Sequence, residues 1–350
     1  MPRILLLLDS VADFQTTRCA DVLTQNPGAD FQITTRTIGP GGSYLNGPAA
    51  LYRLRGMRND FDLIHAFGPQ SLSLAAMATR LPLLYSPLPV TSRHTIQWTR
   101  AISNYRNVQF LCPTSTLRRL HVEAGIPIGN THLLRPGVDF SRLPRHRPDS
   151  DLRACLGFSA DDRVILAVGE QSRASHHVAA VWASGILHVL DPRYKLLLWG
   201  RGKQVGHLNR LAPKVRQSHM IQFAPEWDYE KLLAVADVAL ICAKGLIPTL
   251  SIAMTMAAGV PIVSSVTYTT SELLEDRHTG LLVANPSPKL LAKRITDLYD
   301  NAHLAWSIAD RARAEAYDFF PLTAFLAQYR SVCQQILSQS QHSQKQETPV

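Results

Sequence analysis

Residues 236–264 read ADVALICAKGLIPTLSIAMTMAAGVPIVS. A short apolar run, Val238 to Ile241, is followed after a loop by a helical stretch, Thr249 to Ala258, and then by a second apolar run, Pro261 to Ser264. Short apolar runs without polar alternation suit strands buried on both faces, and a helix between two of them is the crossover of a parallel sheet. The same alternation extends in both directions. Downstream, Gly280 to Val283 predicts a further strand and Pro288 to Asn301 a helix. Upstream lie strands at Val164 to Val168, Lys195 to Trp199 and Met220 to Phe223, with helices over Ser175 to Leu190 and Tyr229 to Ala236.

An earlier series repeats the pattern. Strands are expected at Ile4 to Leu8, Phe31 to Thr37, Phe61 to Phe67, Leu83 to Ser86, Val108 to Pro113 and His132 to Leu134, with helices such as Ser71 to Arg80 and Ser115 to Ala124 in the gaps. Between the two series the composition shifts to Pro, Arg and Asp, which reads as a linker over 146–162. The expected organisation is an α/β protein with an N-terminal domain over 1–145 and a C-terminal domain over 163–319. A Gln/Ser-rich tail over 339–350 is expected to be disordered. A chain of 350 residues favours two domains, because one hydrophobic core stops growing well before that length. Ligands of such sheets bind beyond the C-terminal strand ends.

The net charge of +9 is concentrated early: the first 150 residues hold 16 Arg, no Lys and 9 acids. That sign favours anionic partners, including a phosphorylated substrate or peripheral contact with an anionic membrane. Nucleic acid is not expected, since no stretch mixes basic and aromatic residues as a binding platform does. Five separated cysteines without a C-x-x-C pair argue against a disulfide framework or structural zinc, and a reducing cytoplasm fits them. The opening run stops at Asp9, too short for a membrane span. His176 and His177 are adjacent, so on a helix they point about 100° apart, and no metal is expected.

Several segments resemble retaining glycosyltransferases of family 4 (group 1). Ala236-Asp237-Val238 is similar to that family's "ADV" strand, and Met256-Ala257-Ala258-Gly259-Val260-Pro261 to its "MAAGVP" turn. Thr279-Gly280-Leu281-Leu282-Val283 matches "TGLLV", and Glu272-Leu273-Leu274 precedes it at the usual spacing. In the first half, Asp62 to Ala66, Ser115 to Pro127 and Arg135-Pro136-Gly137-Val138-Asp139 resemble the family's "DVVHAH", "S-x-x-x-R…GIP" and "PNGVD" segments. The resemblance implies the GT-B architecture: two Rossmann-like domains facing each other across a cleft, with a closing helix over 320–338 that returns to the acceptor domain. It implies a nucleotide-sugar donor (UDP-, GDP- or ADP-sugar), no further cofactor, an anionic or polyhydroxy acceptor, and transfer of a hexose with retention.

The donor positions depart from that pattern. Where the family carries an Arg and a Lys for the diphosphate, this chain has Glu170 and Ser175. The paired glutamates fall on Leu246 and Met254, and the second His of "HAH" on Phe67, so the catalytic residues stay unassigned. Donor-binding candidates are Gly169, Glu170, Arg173, Arg201, Gly202, Lys203, Lys244, Thr249 and Leu250, with His176 and His177 as further sources of charge. Thr249 or Ser251 is the expected N-cap of its helix. His65, at an expected strand end, and Arg135 are the acceptor-side candidates, and Gly39-Pro40-Gly41-Gly42 reads as a flexible turn beside them. Two functions remain open: a glycosyltransferase, or a catalytically degenerate protein of the same architecture acting as a binding or scaffold partner.

Overall fold

The computed structural model describes residues 1–9, 12–38, 47–88, 92–144, 148–215, 220–224, 227–245 and 247–346. The chain forms two compact units, Met1–Gly137 with Leu322–Val350, and Val138–Pro321.

The first unit runs β1 (Arg3–Leu8), α1 (Phe14–Gln25), β2 (Gln32–Thr37), α2 (Gly47–Gly56), β3 (Leu63–Phe67), α3 (Pro69–Ala78), β4 (Leu83–Ser86), α4 (Arg93–Tyr105), β5 (Val108–Cys112), α5 (Ser115–Glu123) and β6 (Thr131–Leu133). The strands make a parallel six-stranded sheet in the order β2-β1-β3-β4-β5-β6. Because helices cover both faces, β1 is apolar from Ile4 to Leu8. Ile4, Leu6 and Leu8 enter one core, whereas Leu5 and Leu7 enter the other with Leu54, Leu72 and Ala75. Hydroxyl and carboxylate caps start α1, α4 and α5: Asp13 accepts from Thr16 N, Ser92 from Thr95 N and Thr114 from Leu117 N.

The second unit runs α6 (Ser150–Cys155), β7 (Arg163–Ala167), α7 (His177–Leu190), β8 (Tyr194–Trp199), α8 (Val205–Leu211), β9 (Ile221–Ala224), α9 (Tyr229–Leu233), β10 (Val238–Ile241), α10 (Thr249–Ala258), β11 (Ile262–Ser265), α11 (Thr270–Leu273), β12 (Leu281–Val283), α12 (Pro288–Asp300) and α13 (Ala302–Phe319). Its parallel sheet has the order β12-β11-β10-β7-β8-β9. Strand order reverses between β7 and β10, and that is where a doubly wound sheet opens a crevice. The quoted stretch is thus β10-α10-β11, and Gly259 closes α10 in the left-handed region at φ 70° with its N–H on Met256 O.

A last helix, α14 (Leu322–Gln346), belongs to the first unit and packs Phe325, Tyr329, Cys333 and Ile336 into the core that holds Ile4 and Leu6. Two expectations need correction. The disordered tail over 339–350 is helix as far as Gln346, because α14 continues without a terminating Gly or Pro; residues 347–350 lie outside the described residues. The linker over 146–162 contains α6, capped by Asp149. Arg153 of that helix is buried and donates to Val235 O at 2.9 Å, Asp162 O at 3.2 Å and Asp237 Oδ1 at 2.7 Å. A stretch low in apolar residues folds here because one guanidinium satisfies several carbonyls at once.

Candidate functional site

In the second unit the loops after β7 and β8 are tied into one platform by Gln171, which is fully buried. Its N–H donates to Arg201 O at 2.9 Å, its amide Nε2 to Gly200 O at 2.9 Å, and its carbonyl accepts from Gln204 N at 2.9 Å. A Cβ on Gly202 would lie 2.3 Å from that carbonyl, and Gly202 sits at φ 153°, so only glycine permits the approach. The β10 loop joins through Lys244 N on Ala174 O at 2.8 Å. Beyond it, Ser265 Oγ donates to Ala243 O at 2.6 Å and Ile247 N to Thr269 Oγ1 at 3.3 Å.

Arg173, Arg201, Lys203 and Lys244 are all exposed on these loops. Gly169 and Glu170 are half-buried at the end of β7; Gly169, at φ 119°, faces the Ser175 hydroxyl, which a Cβ would meet at 3.1 Å. Ser175 itself is buried, with its hydroxyl 3.2 Å from that of Ser172. Thr249 and Leu250 are buried in the first turn of α10. The N-cap of α10 is Pro248, not Thr249 or Ser251. Proline's fixed φ suits that entry, but it brings no side-chain acceptor to the first turn.

The two histidines do not supply charge. Burial and then the neighbouring Lys244 hold His176 below the ordinary imidazole range, and burial takes His177 down to about 4. Both are neutral at pH 7. Met254 is 4% exposed on a helix buried at every position, so the family's second carboxylate position here is core. Leu246 lies outside the described residues, as do Gly39 to Gly42.

In the first unit His65 is the middle residue of β3 rather than its end, and it is buried. Its Nε2 meets Ser86 Oγ at 2.9 Å and its Nδ1 the Tyr329 hydroxyl at 3.2 Å. Burial depresses it to about 3, so it is a neutral histidine with both nitrogens occupied. Phe67 is also buried, its ring centroid 4.0 Å from that of His65. Both line a small cavity of about 40 Å³ together with Thr16, Cys19 and Tyr329. Arg135 is half-buried in the segment after β6.

The sequence reading missed two residues. Asp9, after β1, accepts from the backbone N–H of Ser71 at 2.6 Å and of Gln70 at 3.1 Å, so a carboxylate of this chain occupies the N-terminus of α3. Gly68 permits this at φ 103°, where a Cβ would lie 2.4 Å from the Asp9 carboxylate. An acid directly after a buried strand was the available signal. Gln171 had none, since an isolated glutamine in a loop is usually solvated. Among the described residues no cluster of His, Cys, Asp or Glu could hold a metal, and no helix is long and apolar enough to cross a membrane.

The structure superposes on that of Anabaena HepE in complex with UDP-glucose with a TM-score of 0.83, at 18% identity, covering 96% of this chain and 100% of that one. The fold is GT-B. Sucrose-phosphate synthase from Thermosynechococcus elongatus gives 0.79 at 17% identity, covering 97% of this chain and 100% of that one. WaaG, a glycosyltransferase involved in lipopolysaccharide biosynthesis, gives 0.72 at 15% identity, covering 94% and 99%. Residues 149–315 match the family model of glycosyl transferases group 1. No curated protein matches the sequence. The match spans the whole Gln171 platform of the GT-B second unit, so the group 1 pattern covers the loops that carry the exposed cations.

Proposed function

We propose that this GT-B protein transfers a hexose, with retention, from a nucleotide-sugar to a hydroxyl of an anionic or polyhydroxy acceptor, and that the donor diphosphate binds on the Gln171 platform. The observation that carries the reading is the joining of three strand-end loops through Gln171 and Lys244, with Arg173, Arg201, Lys203 and Lys244 exposed on them. Fixed cations near a departing diphosphate stabilise the charge that develops on it, which is the largest catalytic term such a site can provide. Hydrogen bonds to charged groups contribute roughly 1.5–3 kcal/mol each, so two of these side chains replace about two to four decades of donor affinity otherwise lost with the absent Arg and Lys. UDP-glucose bound to HepE makes a UDP-sugar the first donor to try. Contact with an anionic membrane and residence in the cytoplasm belong to the same proposal.

Calorimetric titration with UDP-, GDP- and ADP-sugars tests it. Micromolar binding of one donor, weakened at least tenfold by Arg173→Ala, Arg201→Ala or Lys244→Ala, is expected. Undetectable binding of all three rejects the reading.

A second reading, a degenerate protein that binds the donor or a partner without turnover, is favoured by Met254 and Ser175. Both are sealed into the interior where the family uses charged groups. Donor binding without sugar transfer or donor hydrolysis would select it.

A further inference from the structure

The first unit has an open groove of about 1050 Å³ at the edge from which its strands start, away from the strand C-termini where substrates are expected. The start of β1 and the returns into β3, β4 and β5 each bring one arginine to it: Arg3, Arg58, Arg80 and Arg106. Asp62 is the single carboxylate in its lining among the described residues, and Arg3 already pairs with it at 3.8 Å. Four guanidinium groups less one carboxylate leave the side chains of the lining at +3.

Helix capping accounts for one of these arginines. Helices α3 and α4 end at this edge, where unpaired carbonyls and the negative end of the dipole attract cations. Arg106 meets that need for α3, donating to Ala76 O at 2.7 Å, to Thr79 O, and to Leu81 O at 2.9 Å just beyond the helix. Arg80 is therefore surplus to capping. It meets no carboxylate and makes no side-chain hydrogen bond among the described residues, and after burial its charge is what pushes the Arg106 guanidinium below its ordinary value. Arg58 is exposed and equally without an ion-pair partner among the described residues. Arg80 is exposed at the open groove, and its repulsion with Arg106 is relieved by an anion bound from outside the chain.

We propose that this groove is a second anion site, in which Arg58 and Arg80 bind a phosphate-bearing ligand. A monoanionic carboxylate would leave the groove strongly positive, whereas a phosphate of about −2 offsets most of that charge and a diphosphate of about −3 all of it. The first 150 residues use 16 Arg and no Lys, and the planar guanidinium fork grips phosphate oxygens in pairs where an ammonium offers only a point charge. Lying at the starting edge of the sheet, the ligand is not consumed by chemistry at the opposite edge and serves as an effector or an anchor. The inference is independent of the proposed donor site.

The test is carried out on the full chain carrying R173Q/K244Q, which removes two of the four donor-loop cations, so that binding at the groove is read from its loss in R58Q/R80Q. Calorimetric titration with inorganic pyrophosphate is expected to show binding that R58Q/R80Q weakens at least tenfold and that R58K/R80K weakens less, with unfolding temperatures unchanged. Co-sedimentation with phosphatidylglycerol vesicles, compared with phosphatidylcholine, separates the sources. Vesicle binding lost in R58Q/R80Q assigns a lipid headgroup, and pyrophosphate binding without vesicle binding assigns a free phosphorylated ligand. Binding of both probes unchanged by R58Q/R80Q, or of neither probe to the R173Q/K244Q protein, overturns the proposal.

Discussion

The buried imidazole of His65 makes stability depend on pH in a definite direction. In the folded chain it titrates at about 3 and His177 at about 4, whereas the unfolded chain offers both near their ordinary value. Below that value the unfolded state takes up protons that the folded state refuses, so stability falls as pH drops through about 6.5 and keeps falling toward the folded values. Each such histidine contributes a slope of about 1.4 kcal/mol per pH unit across its window. Urea unfolding of His65→Gln between pH 5 and 6.5 should therefore be flatter than wild type by about one proton; an unchanged slope would refute the assignment. Gly68 is the second residue whose environment decides its identity. Gly68→Ala sets a Cβ against the Asp9 carboxylate and keeps a left-handed φ, and the loss expected is about 3 kcal/mol in the same assay. In the sequence His65 looked like a strand-end residue because "HAH" in the resembling family ends a strand. Sequence order does not reveal that Ser86 and Tyr329, 21 and 264 residues away, meet its two nitrogens.

At the level of elements, strands and crossovers were legible because burial on both faces demands unbroken apolar runs, and the predicted β10 and α10 match the observed ones residue for residue. Among the elements the pattern did not give, such as α8 and α13, one is held by polar atoms. Helix α6 lies in a stretch read as linker since its anchor is Arg153, a residue type expected at the surface. Arg153→Ala removes the guanidinium donor from the carbonyls of Val235 and Asp162 and from Asp237 Oδ1, while Asp237 Oδ2 keeps the Val164 N–H, and should cost roughly 3–5 kcal/mol by the precedent of broken buried ion pairs. Denaturant unfolding would show it, and a loss under 1 kcal/mol would mean the network is dispensable. The loop platform follows the same logic. Gly202→Ala forces the β8 loop away from Gln171, so donor affinity should drop at least tenfold while the β7 and β10 strands stay protected in hydrogen exchange. Equal affinity would separate the platform from donor binding.

For the whole molecule, the informative feature is that the first unit is built from two distant pieces of chain. The resemblance to group 1 glycosyltransferases carried the expectation of a returning helix, which composition alone could not supply, since α14 begins 185 residues after Gly137. Its side chains Phe325, Leu326, Tyr329, Val332, Cys333, Ile336 and Leu337 lie in the core shared with Ile4, Leu6 and Leu8. Seven such groups, at roughly 1.5–3 kcal/mol each for the larger ones, represent on the order of 10–15 kcal/mol of burial. That equals the net stability of a typical domain, about 5–15 kcal/mol. A chain ending at Pro321 should therefore lose the first unit's fold altogether rather than weaken it. Hydrogen exchange would show the amides of β1 and β3 unprotected, whereas those of β7 and β10, in the unit to which α14 does not belong, keep their protection. Supplying residues 322–350 as a separate peptide should restore β1 protection, because the helix acts through packing and needs no peptide bond to Pro321; failure of both units in the truncated chain would instead make α14 a condition for folding the second unit as well.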